Sequence, residues 1–181
     1  MELTEKTVSR TDLLDGRVLK MHLDEVELPD GSRATRECVD HPGGVCVAAL
    51  TKQDELLFVR QFRYPYREVV RELPAGKRDL GETPKETGRR ELREETGVTA
   101  GRMIGLGRCY PSPGYTDEVI YLFGATDLQQ GETDPDEDEF LEVERVPFAK
   151  AVEWVMSGEL PDAKTQIAVL KLWQLRLEEQ I

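Results

Sequence analysis

The sequence predicts an α/β fold of the α+β kind, with a small antiparallel β-sheet at its N-terminal end. Three observations predict it. Short runs of β-branched and aromatic residues, "GVCVAAL" (44–50) and "ELLFVRQFR" (55–63), have the length and composition of buried strands. A capped helix interrupts the strands between Thr83 and Gly97. From Phe148 onward apolar residues recur three and four apart, as amphipathic helices require.

Taken in order, "RVLKMHLDEVELPDGSRATRECVDH" reads as strand, turn, strand, with "PDGS" supplying the turn. Residues 1–40 are therefore expected to form a β-hairpin region and residues 41–181 the main domain. The two apolar runs at 44–50 and 55–63, joined by "TKQD", are expected to pair with each other. "RMIGLGRCY" and "DEVIYLFGATDL" follow as strands around the loop "PSPGYT", and "LEVERVPF" as a last strand after the acidic segment "QQGETDPDEDEF". Two helices close the chain, the second with Ile167, Leu170, Trp173 and Leu177 along its expected inner face.

Composition narrows the classes of function. With 36 acidic and 24 basic residues the chain carries a formal charge of −12. It has no basic stripe, so neither nucleic acid nor an anionic membrane is expected as partner. An anionic substrate would then need a divalent cation held by carboxylates, since hard oxygen ligands suit Mg²⁺ or Mn²⁺. The three cysteines, Cys38, Cys46 and Cys109, have no CxxC spacing and form neither a disulfide framework nor a zinc site, which suits a cytoplasmic location. Met1 to Gly16 is polar, so no signal peptide is expected, and no apolar run approaches membrane-spanning length. His22 and His41 fit no metal or catalytic spacing and read as surface residues.

The segment "GKRDLGETPKETGRRELREETGV" (76–98) concentrates the chemistry. Thr83 and Glu86 form a capping box with Pro84 at the first helical position, and Gly97 ends the helix. Glu91, Glu94 and Glu95 share one face, while Leu92 points toward a core. Like charges at this spacing repel by a few tenths of a kcal/mol unless a cation intervenes. Arg90 pairing with Glu94 or Glu86 on a solvated face is the plain alternative. Gly88 stands out, since glycine within a helix costs about 1 kcal/mol relative to alanine.

Gly76, Glu82, Arg90, Glu91, Leu92, Glu94, Glu95, Gly97 and Val98 follow the order and spacing of the Nudix box, and the chain resembles the Nudix hydrolases. The resemblance implies an α/β/α sandwich around a mixed sheet, with Glu91 and Glu95, and Glu94 beside them, as ligands of Mg²⁺ or Mn²⁺. It casts Glu82 and Arg90 as an ion pair orienting those glutamates. The flanks "VRQFRYPYREVVRELPAGK", "YPSPGYTDE", "DEDEFLEV" and "DAKTQIAVL" resemble the ADP-ribose pyrophosphatase branch, with Pro113 at the proline that marks it.

That resemblance implies hydrolysis of ADP-ribose to AMP and ribose 5-phosphate, with two or three divalent ions per site. The carbonyl of Ala75 and the carboxylate of Glu139 join the expected metal ligands, and Glu137 is the expected general base beside Glu91 and Glu95 as catalytic residues. Arg63 either contacts the pyrophosphate or makes a strand-end salt bridge, and Lys77 joins it among the substrate-binding candidates. Arg36 and Glu37 correspond to a region that contacts adenine from a partner subunit, so a homodimer is implied, with the N-terminal region serving both dimerisation and the substrate pocket. Ser112, Pro113, Gly114 and Glu118 fall in the loop along the terminal ribose. Tyr64, Tyr66 and Tyr115 stack on a base or sit as rim residues. Hydrolysis of another nucleotide sugar, such as GDP-mannose or a UDP-sugar, of coenzyme A or of dinucleoside polyphosphates remains open. So does a non-catalytic nucleotide-sugar-binding module, against which the full glutamate set speaks.

Overall fold

The computed structural model describes residues 2–134 and 140–181. The chain divides into two compact units, Met1–Gly43 with Tyr110–Val119, and Gly44–Cys109 with Ile120–Ile181.

In the first unit, β1 (Lys6–Asp15), β2 (Lys20–Glu27) and β3 (Arg33–Asp40) form an antiparallel meander. The turn between β2 and β3 is the one that "PDGS" predicts. Gly31 takes a φ of 84°, and Asp30 accepts hydrogen bonds from both the amide (2.9 Å) and the hydroxyl (2.6 Å) of Ser32. β1 is an addition to the expected hairpin. All ten of its residues are exposed and two register shifts interrupt its pairing, so it carries none of the apolar alternation by which a strand is recognised.

His22 is not on the surface. It is buried on β2 with Nδ1 2.8 Å from Asp24 and Nε2 3.2 Å from Asp40, and the Asp24 bond is the main cause of a pKa above the usual histidine value. Asp40 is also held by Arg10 at 2.8 Å, so the histidine is one member of an ion-pair network. His41 is likewise half-buried, with its Nδ1 accepting from the Gly43 amide at 3.0 Å. Sequence spacing misses both because their burial is set by strands and loops that pack around them, which no local pattern reports.

The second unit contains two sheets. β4 (Gly44–Ala49) is buried at every residue and runs between β7 (Ala75–Lys77), antiparallel, and β9 (Ile120–Gln130), parallel, with β8 (Val98–Cys109) on the outer side of β9. A strand covered on both faces needs an unbroken apolar run, which "VCVAAL" supplies. β5 (Glu55–Arg63) pairs instead with β6 (Glu68–Glu72) and β10 (Leu141–Pro147). The expected pairing of β4 with β5 is thus replaced by one bridge between Leu50 and Leu56, because both edges of each strand are taken by other partners.

Helix α1 (Pro84–Thr96) covers one face, where Leu92 is buried among Val47, Ala49, Leu57, Val98 and Ala125. Gly88 has its reason here: a methyl group in its place would meet Met103 and Val47 at 3.3 Å, so the glycine lets helix and sheet approach closely. Helices α2 (Phe148–Ser157) and α3 (Ala163–Leu177) cover the other face, with Phe148 edge-on to Trp173 at 5.0 Å between ring centres. The inner face of α3 is only partly the one expected. Thr165, Ala168, Val169 and Leu172 are buried, while Leu170 and Leu177 are exposed. Ile167 and Trp173 of the expected face do pack against the core, so the buried face is the expected one turned toward Thr165, Ala168, Val169 and Leu172, where small residues allow close packing. Among the described residues no helix is long and apolar enough to cross a membrane.

Candidate active site

Helix α1 begins where its chemistry requires. The Thr83 side chain accepts from the Glu86 amide at 3.4 Å, and Glu86 accepts in return from the Thr83 amide at 2.8 Å. Gly97, at φ 70°, closes the helix with its amide on the Arg93 carbonyl. These two ends fix the rotation of the helix, and hence which side of it carries Glu91, Glu94 and Glu95.

Arg90 organises that side. Its Nε and one terminal nitrogen donate to the two Glu82 oxygens at 2.9 and 3.0 Å, and the latter nitrogen also donates to the Lys77 carbonyl at 3.1 Å. The other terminal nitrogen donates to Glu91 and to Glu94, both at 2.9 Å. The fork on Arg90, helped by the Thr87 hydroxyl, holds the Glu82 carboxyl down at about 2, well below the usual carboxylate range. Arg90 thus pairs with Glu82, Glu91 and Glu94 rather than with Glu86.

Glu91 and Glu95 are both buried. The Glu95 carboxylate accepts from the Ala75 amide at 3.1 Å, so strand β7 and helix α1 meet at that bond. Gly76 is the next residue on β7, and a methyl group there would overlap the Glu91 carboxylate carbon and both of its oxygens. The box glycine is therefore the space that Glu91 occupies. Two buried carboxylates with a third beside them make a wall of hard oxygen donors, a set that suits a small divalent cation.

Arg63, at the end of β5, makes a partly buried pair rather than a surface bridge: Nε and a terminal nitrogen donate to the two oxygens of Glu72 at 2.6 and 2.9 Å. The Glu72 side chain is only 3% exposed, against 37% for Arg63. Lys164 of α3 also donates to Glu72 and, at 2.9 Å, to Asp162. Burial alone would raise the pKa of Glu72, yet the Arg63 hydrogen bonds and the Lys164 charge outweigh it and keep the carboxyl below its ordinary value.

Residues 40–168 match the profile of the NUDIX domain, and residues 5–39 that of the nucleoside diphosphate sugar hydrolase N-terminal domain. The chain belongs to the Nudix family. It is 41% identical to the ADP-ribose pyrophosphatase of Bacillus subtilis over 92% of this chain and 91% of that one. It is 40% identical to the methanol dehydrogenase activator of Bacillus methanolicus over 91% and 90% of the two chains. In fold it is similar to the crystal structure of an ADP compounds hydrolase, with a TM-score of 0.87, 20% identity and full coverage of both chains. Nudix hydrolases generally need a divalent metal, in keeping with the donor wall on α1.

In this Nudix chain the other candidates are distributed over both units. Lys77 is exposed on β7, next to Gly76 in the second unit. Arg36 and Glu37 lie on β3 of the first unit, where Arg36 forms a two-pronged pair with Glu5 at 3.0 and 2.6 Å. Ser112, Pro113, Gly114 and Glu118 belong to the same unit, because Val39 on β3 bonds to both Tyr115 (2.7 Å) and Asp117 (3.2 Å). The Ser112 carbonyl accepts from Tyr115 and Thr116 at 3.3 Å, and a Glu118 oxygen lies 3.4 Å from His41 Nδ1. Tyr64 lies under the Arg67 guanidinium at 3.6 Å from the ring centre, and Tyr66 and Tyr115 are exposed. Glu137 and Glu139 lie outside the described residues.

Glu72 and Lys164 are the members of this neighbourhood that sequence reasoning missed. Their signal is weak but present: a glutamate directly before the apolar "LPA", and a lysine two positions after the helix-capping Asp162.

Proposed function

We propose that this chain hydrolyses the pyrophosphate of ADP-ribose, releasing AMP and ribose 5-phosphate, with two or three Mg²⁺ or Mn²⁺ ions per site. The observation that carries the proposal is the buried carboxylate face of α1, Glu91 and Glu95 with Glu94 beside them, gripped by Arg90. Its substrate is supported by 41% identity over nearly the whole length to a protein named ADP-ribose pyrophosphatase.

Glu91, Glu94, Glu95, the Ala75 carbonyl and Glu139 would hold the ions. When bound, they lower the pKa of the attacking water and offset charge on the phosphate oxygens. Glu137 accepts the proton from that water as it attacks phosphorus. Arg63 and Lys77 bind the pyrophosphate, and Glu82 acts through Arg90 to orient the ligands. Arg36 and Glu37 contact adenine across a homodimer, and Ser112, Pro113, Gly114 and Glu118 lie along the terminal ribose. The full exposure of β1, a long strand, supports a partner subunit packed against the N-terminal sheet. Three cysteines without paired spacing support a cytoplasmic location.

Incubation of the purified chain with ADP-ribose and Mg²⁺, with AMP and ribose 5-phosphate quantified, tests this function. ADP-glucose, GDP-mannose and diadenosine polyphosphates form the comparison panel. A higher kcat/KM for any of these would replace ADP-ribose as substrate, and AMP release that survives chelation of the metal would overturn the mechanism. Light scattering tests the dimer, and a fully active monomer would refute the shared adenine pocket.

A further inference from the structure

We propose that Lys164 is a positioning residue: it clamps the buried carboxylate of Glu72 so that Glu72 presents the Arg63 guanidinium, in one fixed plane, to the substrate pyrophosphate. This rests on Arg63 as the phosphate-binding residue of the reading above.

The geometry is a chain of charges within the second unit, running Arg63, Glu72, Lys164, Asp162. Arg63 spends two N–H groups on Glu72, in the parallel arrangement that fixes the plane of the guanidinium. Of the five donors on an arginine about three remain, on the edge away from Glu72. Three residues after Glu72, the Ala75 amide donates to the Glu95 carboxylate at 3.1 Å, so the strand end that carries Glu72 leads directly to the carboxylates of α1. The glutamate is nearly inaccessible to water while the arginine is not, so the free edge of the guanidinium faces outward.

Glu72 would turn about its own side-chain bonds if Arg63 alone held it. Lys164 prevents this by donating to the Glu72 oxygen that also receives the terminal nitrogen of Arg63. Lys164 is itself fixed by Asp162, whose other oxygen accepts from the Thr165 amide at 3.0 Å and caps α3. Thr165 in turn accepts from the amide of Leu73, the residue after Glu72, at 2.9 Å. The first turn of α3 therefore grips Glu72 and Leu73 at two points. Two carboxylates and two cations leave no net charge in the cluster, which buried ions require. Removing the ammonium leaves Glu72 and Asp162 facing each other with only the Arg63 guanidinium, on the far side of Glu72, to balance them, and the orientation of Arg63 is lost first because it lies at the exposed end.

The test compares wild type, Lys164→Met, Lys164→Arg, Arg63→Ala and the double variant Arg63→Ala/Lys164→Met at saturating Mg²⁺. Lys164→Met, which keeps an apolar stem, is expected to raise KM for ADP-ribose about tenfold, with a smaller change in kcat. Lys164→Arg restores most of that loss. In the Arg63→Ala background Lys164→Met adds less than about twofold, since the lysine acts only through the arginine. A second measurement needs no substrate: hydrogen exchange of the Arg63 Nε–H, read by NMR and assigned with Arg63→Lys, becomes at least about tenfold faster in Lys164→Met. Unchanged exchange overturns the clamp. Unchanged KM, or losses that multiply in the double variant, overturn the presentation of Arg63 to phosphate, even where melting temperature falls. Failure of the underlying reading is distinguishable, because it is seen in the wild type alone as absence of AMP release, and the exchange measurement still decides the clamp.

Discussion

Replacing Gly76 by alanine separates the chemistry of the site from the stability of the fold. The added methyl would overlap the Glu91 carboxylate, whereas ordinary carbon contacts begin near 3.4 Å, so the carboxylate must retreat by about 1 Å or more. Glu91 has the freedom to do so, since its carboxylate is the far end of a flexible side chain, though it leaves its 2.9 Å bond with Arg90. Loss of that charge-assisted bond costs about 2 kcal/mol and replacing a strand glycine returns about 1 kcal/mol, so stability falls by only about 1 kcal/mol. If Glu91 is a metal ligand as proposed, a displacement of this size costs about a hundredfold in rate. The assay is kcat for ADP-ribose at saturating Mg²⁺, beside Mn²⁺ affinity by calorimetry and melting temperature. Glu91→Gln in the same background is expected to add little. A Gly76→Ala enzyme within about threefold of wild type in kcat, with Mn²⁺ affinity intact, would show that Glu91 does not need this space to do its work.

Glu82→Gln is expected to cost stability on the order of 1 kcal/mol near neutrality, from a carboxyl held at about 2 against an ordinary 4.5 and discounted for screening by the nearby solvent. Because the folded pKa is depressed, this contribution is complete above about pH 4.5 and is lost as pH falls through 2; urea titrations should show the gap between variant and wild type closing over that window, and a pH-independent gap would contradict it. Gly88→Val should destabilise by about 1–3 kcal/mol through overpacking against Val47 and Met103, measured as a lower denaturant midpoint, and an unchanged midpoint would mean that α1 can move away from the sheet freely. His22, bonded to Asp24, should titrate above 6.5 by NMR, and its stabilisation is present below 6.5 and lost as pH rises through the raised value. Asp24→Asn should bring that titration down, and an unshifted histidine would remove Asp24 as the cause.

The box helix was legible because its information is local. Thr83, Pro84, Glu86 and Gly97 define its ends with contacts a few residues long, and periodicity then puts Glu91, Glu94 and Glu95 on one face. Helical spacing by itself offers Arg90 only Glu94 and Glu86 as partners; its fork to Glu82, eight residues away in the preceding loop, was legible through the box pattern alone. β1 escaped notice because an exposed edge strand needs no apolar pattern, only a neighbour to pair with. The inner face of α3 was read only in part, because its sequence is apolar on several sides, and the choice among them belongs to the sheet it packs on.

By itself, then, the sequence determined whatever depends on contacts close along the chain: the box helix and its caps, the turn at Asp30–Gly31, and the buried character of β4. Tertiary structure alone decided which strands pair, why Gly76 and Gly88 bear no side chain, and the joining of Arg63, Glu72 and Lys164. The reason is physical. A residue's own neighbours set its backbone, but the space beside it and the charge facing it come from segments as distant as β6 and α3, whose meeting no local preference encodes.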